Sequence, residues 1–191
     1  MNYGNIIICD VANGPGMRLT LFVSGCTHHC KDCFNGETWS FQYGEKYTDE
    51  VQQQILEELS QPWYQGITFL GGEPMEPENQ PTVYRLMKAV REKFGNTRDI
   101  WLYSGYTFEE LTDASNESRA CTDMAKEILK TADVLVDGPF QVENKDIRLV
   151  FRGSSNQRIL DLKKSMQKPL RPVLTERWNR PLSSECPNRR A

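Results

Sequence analysis

Long hydrophobic runs are missing from this chain. Its most apolar stretches, such as Ile6-Ile7-Ile8 and Leu19-Thr20-Leu21-Phe22-Val23, fall far short of the roughly 18 to 20 residues that cross a bilayer as a helix. No membrane-spanning helix is expected. A basic excess is missing too: 23 Lys and Arg against 26 Asp and Glu give a formal charge of -3, which leaves no footprint for nucleic acid. The opening Met1-Asn2-Tyr3-Gly4-Asn5 has no basic n-region and no leader cleavage site. A reducing cytoplasm is therefore expected, without structural disulfides. No repeat of fixed period appears, and 191 residues suffice for one well-buried domain but not for two ordinary ones.

What the chain does have is a cysteine triplet. Cys26, Cys30 and Cys33 lie in Ser24-Gly25-Cys26-Thr27-His28-His29-Cys30-Lys31-Asp32-Cys33-Phe34-Asn35, at C-x3-C-x2-C spacing directly after an apolar run. Three thiolates on one short loop can hold three irons of a four-iron cluster and leave the fourth open, whereas a closed electron-transfer cluster takes four protein thiolates. Structural zinc is the rival reading and needs a fourth ligand. His28 or His29 could complete such a set, but both lie between Cys26 and Cys30, where a tight loop can hardly wrap four donors around one ion. No second cysteine knuckle follows. Cys9, Cys121 and Cys186 stand alone and read as buried or incidental.

Short β-rich runs alternate with helical periodicity. Residues 6–11, 19–24, 66–70, 99–104, 134–136 and 148–151 read as strands. Helices are predicted over 48–60, where Val51, Ile55, Leu56 and Leu59 share a face, and over 82–94, where Val83, Leu86, Met87, Val90 and Phe94 do. Thr48 and Pro81-Thr82 supply their start signals, and shorter helices fit 108–111 and 122–129, the latter behind a Thr122 cap. The alternation predicts an α/β domain with a largely parallel sheet over residues 1–160. Residues 161–191, with Pro169, Pro172, Pro181 and Pro187, read as a polar, poorly ordered extension. In such sheets ligands bind beyond the carboxyl ends of the strands. The cysteine loop, Gly71-Gly72-Glu73-Pro74, Ser104-Gly105-Tyr106 and Asp137-Gly138-Pro139 all fall there, and are expected to share one pocket.

On these residues the chain resembles the radical S-adenosylmethionine (SAM) superfamily, whose cysteine loop matches Cys26, Cys30 and Cys33 and whose Gly-Gly-Glu-Pro motif matches Gly71 to Pro74. It is similar, more narrowly, to the activases of anaerobic ribonucleotide reductase. That likeness rests on Asn13-Gly14-Pro15-Gly16-Met17-Arg18, Leu21-Phe22-Val23-Ser24-Gly25-Cys26, Asp99-Ile100-Trp101-Leu102, Val136-Asp137-Gly138 and Arg152-Gly153-Ser154-Ser155-Asn156-Gln157-Arg158. It runs from Asn2 to about Arg158. Much of the superfamily has an aromatic residue just before the third cysteine. Here Asp32 holds that place and Phe34 follows the cysteine, as in the narrower family, which usually has tyrosine there.

The resemblance implies an incomplete TIM-type barrel of mainly parallel strands, the radical SAM core. It implies an oxidoreductase with a [4Fe-4S] cluster on Cys26, Cys30 and Cys33, and with S-adenosylmethionine chelated to the open iron. Reductive cleavage then yields a 5′-deoxyadenosyl radical that abstracts a hydrogen from a glycine of the reductase. Because the radical forms on the cofactor, no side chain is expected to be catalytic. Partners implied are the large subunit of anaerobic ribonucleotide reductase and a reduced flavodoxin- or ferredoxin-type electron donor, with neither nucleic acid nor membrane.

Among cofactor-binding residues, Asp32, Cys33 and Phe34 are expected on the adenosine side, Phe34 near the adenine face. Gly71 and Gly72 let backbone approach the methionine ammonium, and Glu73 orients that loop and offsets the ammonium charge. Ser104 and Tyr106 are candidates to donate to carboxylate or ribose, with capping of the next helix as the alternative. Arg18 and Arg152 are candidate carboxylate readers or surface salt bridges. Asp137 is a candidate for ligand binding or capping, while His28 and His29 read by preference as solvated loop residues. Three other readings stay open: activation of a different glycyl-radical enzyme, a small-molecule radical enzyme acting on a deazapurine-type skeleton, and a non-catalytic zinc-holding interaction module.

Overall fold

Along each central strand every second residue is apolar, and in a pleated strand that period places all of them on one face. The computed structural model, which describes residues 1–179, shows what this face buries. Its strands are β1 (Asn2–Asp10), β2 (Met17–Val23), β3 (Glu45–Lys46), β4 (Tyr64–Gly71), β5 (Asp99–Tyr103), β6 (Val134–Asp137) and β7 (Arg158–Asp161). Among the described residues they form one open sheet of order β3-β1-β2-β4-β5-β6-β7, parallel from β2 to β6 and antiparallel at both sides. Register sets Leu21 beside Phe69, then Leu102, Leu135 and Leu160. All of them are fully buried.

Parallel neighbours need crossovers, and here the crossovers are helical. These are α1 (Asp49–Glu58), α2 (Gln80–Phe94), α3 (Phe108–Thr112) and α4 (Asp123–Thr131). Ile55 and Leu56 of α1, Leu86 and Val90 of α2, and Ile128 and Leu129 of α4 join the strand residues in one core. Thr48 and Thr122 cap α1 and α4 as expected, their side chains accepting from Val51 N and Ala125 N. Helix α2 starts slightly earlier than predicted, with Pro81 in its first turn, where a missing N–H costs nothing.

The opposite face of the sheet buries polar groups. Arg18 is completely enclosed, and its guanidinium donates to Thr68 Oγ1 at 2.7 Å, Ile67 O at 3.0 Å and Pro15 O at 3.2 Å, and pairs with Asp99 at 2.5 Å. A charge is tolerated there because its N–H groups find acceptors. Arg18 is thus a strut joining the 13–16 loop to β4 and β5, not a carboxylate reader or a surface ion pair.

Two sequence expectations change. Residues 148–151 form a turn rather than a strand: Asp146 accepts from the Arg148 backbone and guanidinium, both at 2.9 Å, and Phe151 adopts φ +56°. A left-handed residue interrupts the extended conformation. The apolar Leu149-Val150-Phe151 suggested a strand, but Phe151 instead packs its ring between Trp101 and Trp178. The last strand is β7, whose Ile159 and Leu160 are too few to display a period.

The polar extension expected from residue 161 lies partly outside the described residues, Cys186 with it. Its described part is bound to the sheet. Helix α5 (Leu162–Ser165) buries Leu162, Asp161 N donates to Val173 O at 2.8 Å, and Thr175 N donates to Ile159 O at 2.9 Å. Asn179 bonds both the N–H and the C=O of Ile159, at 3.0 and 2.7 Å. Main-chain pairing of this kind covers an otherwise open strand edge and leaves little mark on composition. No described helix is long and apolar enough to cross a membrane.

Candidate functional site

Because β2, β4, β5 and β6 are parallel, the loops after them gather at one end of the sheet. There they enclose a hollow of about 200 Å³ into which Cys26, Cys30, Cys33, Gly71, Gly72, Glu73, Ser104 and Gly138 all project. The cysteine loop is held at its root: Gly25 N donates to Thr38 O at 2.8 Å and Cys26 N to Trp39 O at 3.0 Å. Gly25 has φ +100°, and a Cβ there would lie 2.2 Å from the Phe41 ring. Only glycine fits that turn. Farther on, His29 and Asp32 take φ +49° and +56°, tightening the loop so that Cys30 and Cys33 face the same hollow.

The second loop packs on the first backbone to backbone. Gly72 N donates to Val23 O and Glu73 N to Gly25 O, both at 2.8 Å, and a Cβ on Gly72 would sit 2.6 Å from Gly25 O. The need for glycine at 72 therefore comes from the cysteine loop itself. Glu73 is buried and accepts from Met75 N at 2.8 Å, Ser104 Oγ at 2.9 Å, Gly105 N at 2.7 Å and His28 Nε2 at 3.0 Å. Ser104 Oγ also accepts from Tyr106 N, so this hydroxyl serves the loop and does not point a free donor at a ligand.

The structure places the remaining candidates as follows. Phe34 stands at the rim, 73% exposed, 5.7 Å from the Phe140 ring and 4.9 Å from the Lys145 ammonium. Asp32 is exposed and does not line the hollow. His28, expected to be solvated, is mostly buried against Tyr106, their rings 4.3 Å apart. His29 stacks on Trp39 at 4.6 Å. Burial lowers the His28 pKa, but the Glu73 hydrogen bond and charge outweigh it and the net shift is upward. Asp137 is a cap: it accepts from Phe108 N at the start of α3 and pairs with Arg158. Arg152 donates to Gln157 O and Asn179 O and so ties residue 179 to the 152–157 loop. Cys9 is exposed at φ +57° rather than buried.

Sequence reasoning did not place Asn13, Trp39, Tyr103, Phe140 and Gln157, which also line the hollow. Asn13 and Gln157 sit in two of the resemblance motifs, which was a usable signal. Phe140 and Trp39 carry no periodic or spacing signal.

The donor set fits a sulfur-ligated cationic group. Backbone N–H groups of His28 and His29 bond toward the Cys26 sulfur, and that of Phe140 toward Cys30, which favours thiolate. Burial, reinforced by the Glu73 and Glu76 charges, nevertheless pushes Cys26 up to about 12, and burial also raises Cys30. A bound metal centre supplies the positive charge that displaces such protons. Among the described residues no three His, Cys, Asp or Glu side chains converge closely enough for a single ion, so the thiols share a hollow rather than a point.

These features define a class, and a family model described as a 4Fe-4S single cluster domain matches residues 12–160. The chain is also 42% identical over 159 residues to the anaerobic ribonucleoside-triphosphate reductase-activating protein of Vibrio cholerae serotype O1, covering 82% of this chain and 96% of that one. Proteins of the same name from Enterobacteria phage T4 and Escherichia coli (strain K12) are 37% and 38% identical, with 83% and 82% of this chain and 93% and 96% of theirs covered. The chain belongs to the family of anaerobic ribonucleoside-triphosphate reductase-activating proteins.

Proposed function

We propose that this chain activates an anaerobic ribonucleotide reductase as a radical S-adenosylmethionine enzyme. Cys26, Cys30 and Cys33 hold a [4Fe-4S] cluster and leave one iron for S-adenosylmethionine. When bound, this pair supplies reductive sulfonium cleavage and a 5′-deoxyadenosyl radical that takes a hydrogen from a glycine of the reductase. The chain's own residues bind, orient and exclude water. Gly71 and Gly72 bring backbone to the methionine end, Glu73 and Ser104 keep that loop in place, and Asp32 turns the chain so that Cys33 and Phe34 form the adenosine side.

The observation that carries the reading is the meeting of three free thiols with the Gly-Gly-Glu loop in one hollow, at the carboxyl ends of parallel strands. The open sheet is read as the incomplete barrel of the radical SAM core. The setting is the cytoplasm, with a flavodoxin- or ferredoxin-type donor supplying the electron. Anaerobic reconstitution tests the proposal. About four iron and four sulfide per chain are expected, with a reduced-cluster resonance altered by S-adenosylmethionine and a glycyl radical signal after reductase and reductant are added. Stoichiometric zinc without sulfide overturns the reading; a cluster that never yields the glycyl radical overturns the assigned substrate.

A further inference from the structure

We infer that His28 is a positioning residue: through Glu73 it latches the first half of the cysteine loop to the loops facing it across the hollow. The inference rests on the proposed function, because what the latch aligns is the cluster loop with the loop that receives S-adenosylmethionine. An ionised carboxylate offers about four acceptor sites. Glu73 has donors for all of them, His28 Nε2, Met75 N, Ser104 Oγ and Gly105 N, at 2.7 to 3.0 Å. With those sites taken, Glu73 sets the relative positions of three loops rather than binding a ligand itself.

The seat of His28 is built for it. Its ring lies edge-on against Tyr106, and a Cβ on Gly105 would be 2.5 Å from His28 Cδ2, so a side chain at 105 would displace the imidazole. The neighbouring residue is held in the same way: Thr27 N and Oγ1 donate to Glu76 Oε1 at 2.8 and 2.5 Å. Two buried carboxylates from the 71–79 loop thus grip consecutive residues between Cys26 and Cys30. Removing the His28 donor leaves a buried carboxylate oxygen short of a partner, and the cost appears as loss of alignment.

The test uses wild type, His28→Phe, which keeps a ring in the seat but no donor, His28→Gln, Glu73→Gln and the H28F/E73Q double variant, all cluster-loaded. S-adenosylmethionine affinity is read from its effect on the reduced-cluster resonance. H28F and E73Q should each weaken binding about 10- to 100-fold, the usual effect of losing a residue that orients a metal ligand. H28Q should stay within about threefold, since its amide nitrogen restores a donor. The double variant should be no weaker than the weaker single, because the pair acts as one unit. Melting of the cluster-free proteins should show the same non-additivity. Wild-type affinity in H28F alongside a loss in E73Q, or additive losses of melting temperature, overturns the latch. A wild type that binds no cluster overturns the proposed function instead, while the melting cycle still decides whether His28 and Glu73 are coupled.

Discussion

The wall of the hollow made by residues 24–28 and 71–79 and the wall made by 30–35 and 138–157 use their side chains differently. In the first, Cys26, Glu73, Glu76 and Asn79 are buried, and the Asn79 amide donates to Ser24 O at 3.0 Å and Glu73 O at 2.9 Å. In the second, Phe34 is 73% exposed, and Lys145 lies over its ring. Buried polar networks fix geometry because each lost partner leaves a desolvated group behind. Exposed apolar side chains near a pocket are surface available to a partner. One wall therefore holds the first cysteine in place, while the other leaves an aromatic ring exposed at the rim.

The sharpest way to break this comparison is Cys26→Ala, which should abolish cluster retention and all glycyl radical formation, measured by iron content and electron paramagnetic resonance. The control Cys9→Ala should change neither. Next comes Asn79→Ala in the knitted wall. It strips Ser24 O of its donor and leaves Glu73 O with Glu76 N alone, and should cost about 2 kcal/mol in urea unfolding. Equal stability would show that the wall is not held by these bonds.

Phe34→Ala in the open wall should do the reverse. Stability should stay within about 0.5 kcal/mol of wild type, and activation of the reductase should fall about tenfold, because the adenosine side loses its aromatic face. A large loss of stability would erase the distinction between the walls. The smallest effect concerns the footing of the open wall, where Arg158 pairs with both Glu109 and Asp137. The Arg158 hydrogen bond holds Glu109 below the usual carboxylate range. The stabilisation is therefore present above the unfolded value of about 4.3 and is lost as pH falls through the folded one. Melting temperature should fall more steeply below about pH 4.5 in wild type than in Glu109→Gln.

Much of the scaffold was legible because it rests on local chemistry. Short β-rich runs marked β2, β4, β5 and β6, and Thr48 and Thr122 announced helix starts. Where apolar content misled, at residues 148–151, the deciding factors were an Asp146 turn and the positive φ of Phe151. Neither has a periodic signature. Strand β7 was hidden by its brevity, and the pairing of Val173-Leu174-Thr175 along it by the polar, proline-bearing stretch in which they lie.

The sequence by itself determined which residues can ligate, which loops end parallel strands and where chain must turn on glycine, because spacing and periodicity are properties of neighbours along the chain. It did not determine what Arg18, His28, Glu73 or Asp137 does. Those side chains find their partners across the fold, 50 residues away for Arg18 and Thr68 and 45 for His28 and Glu73. Buried charge takes its role from whatever donor or acceptor the packed structure brings within reach. That is why the cysteine triplet could be read from the one-dimensional chain, whereas the latch around it became visible only in three.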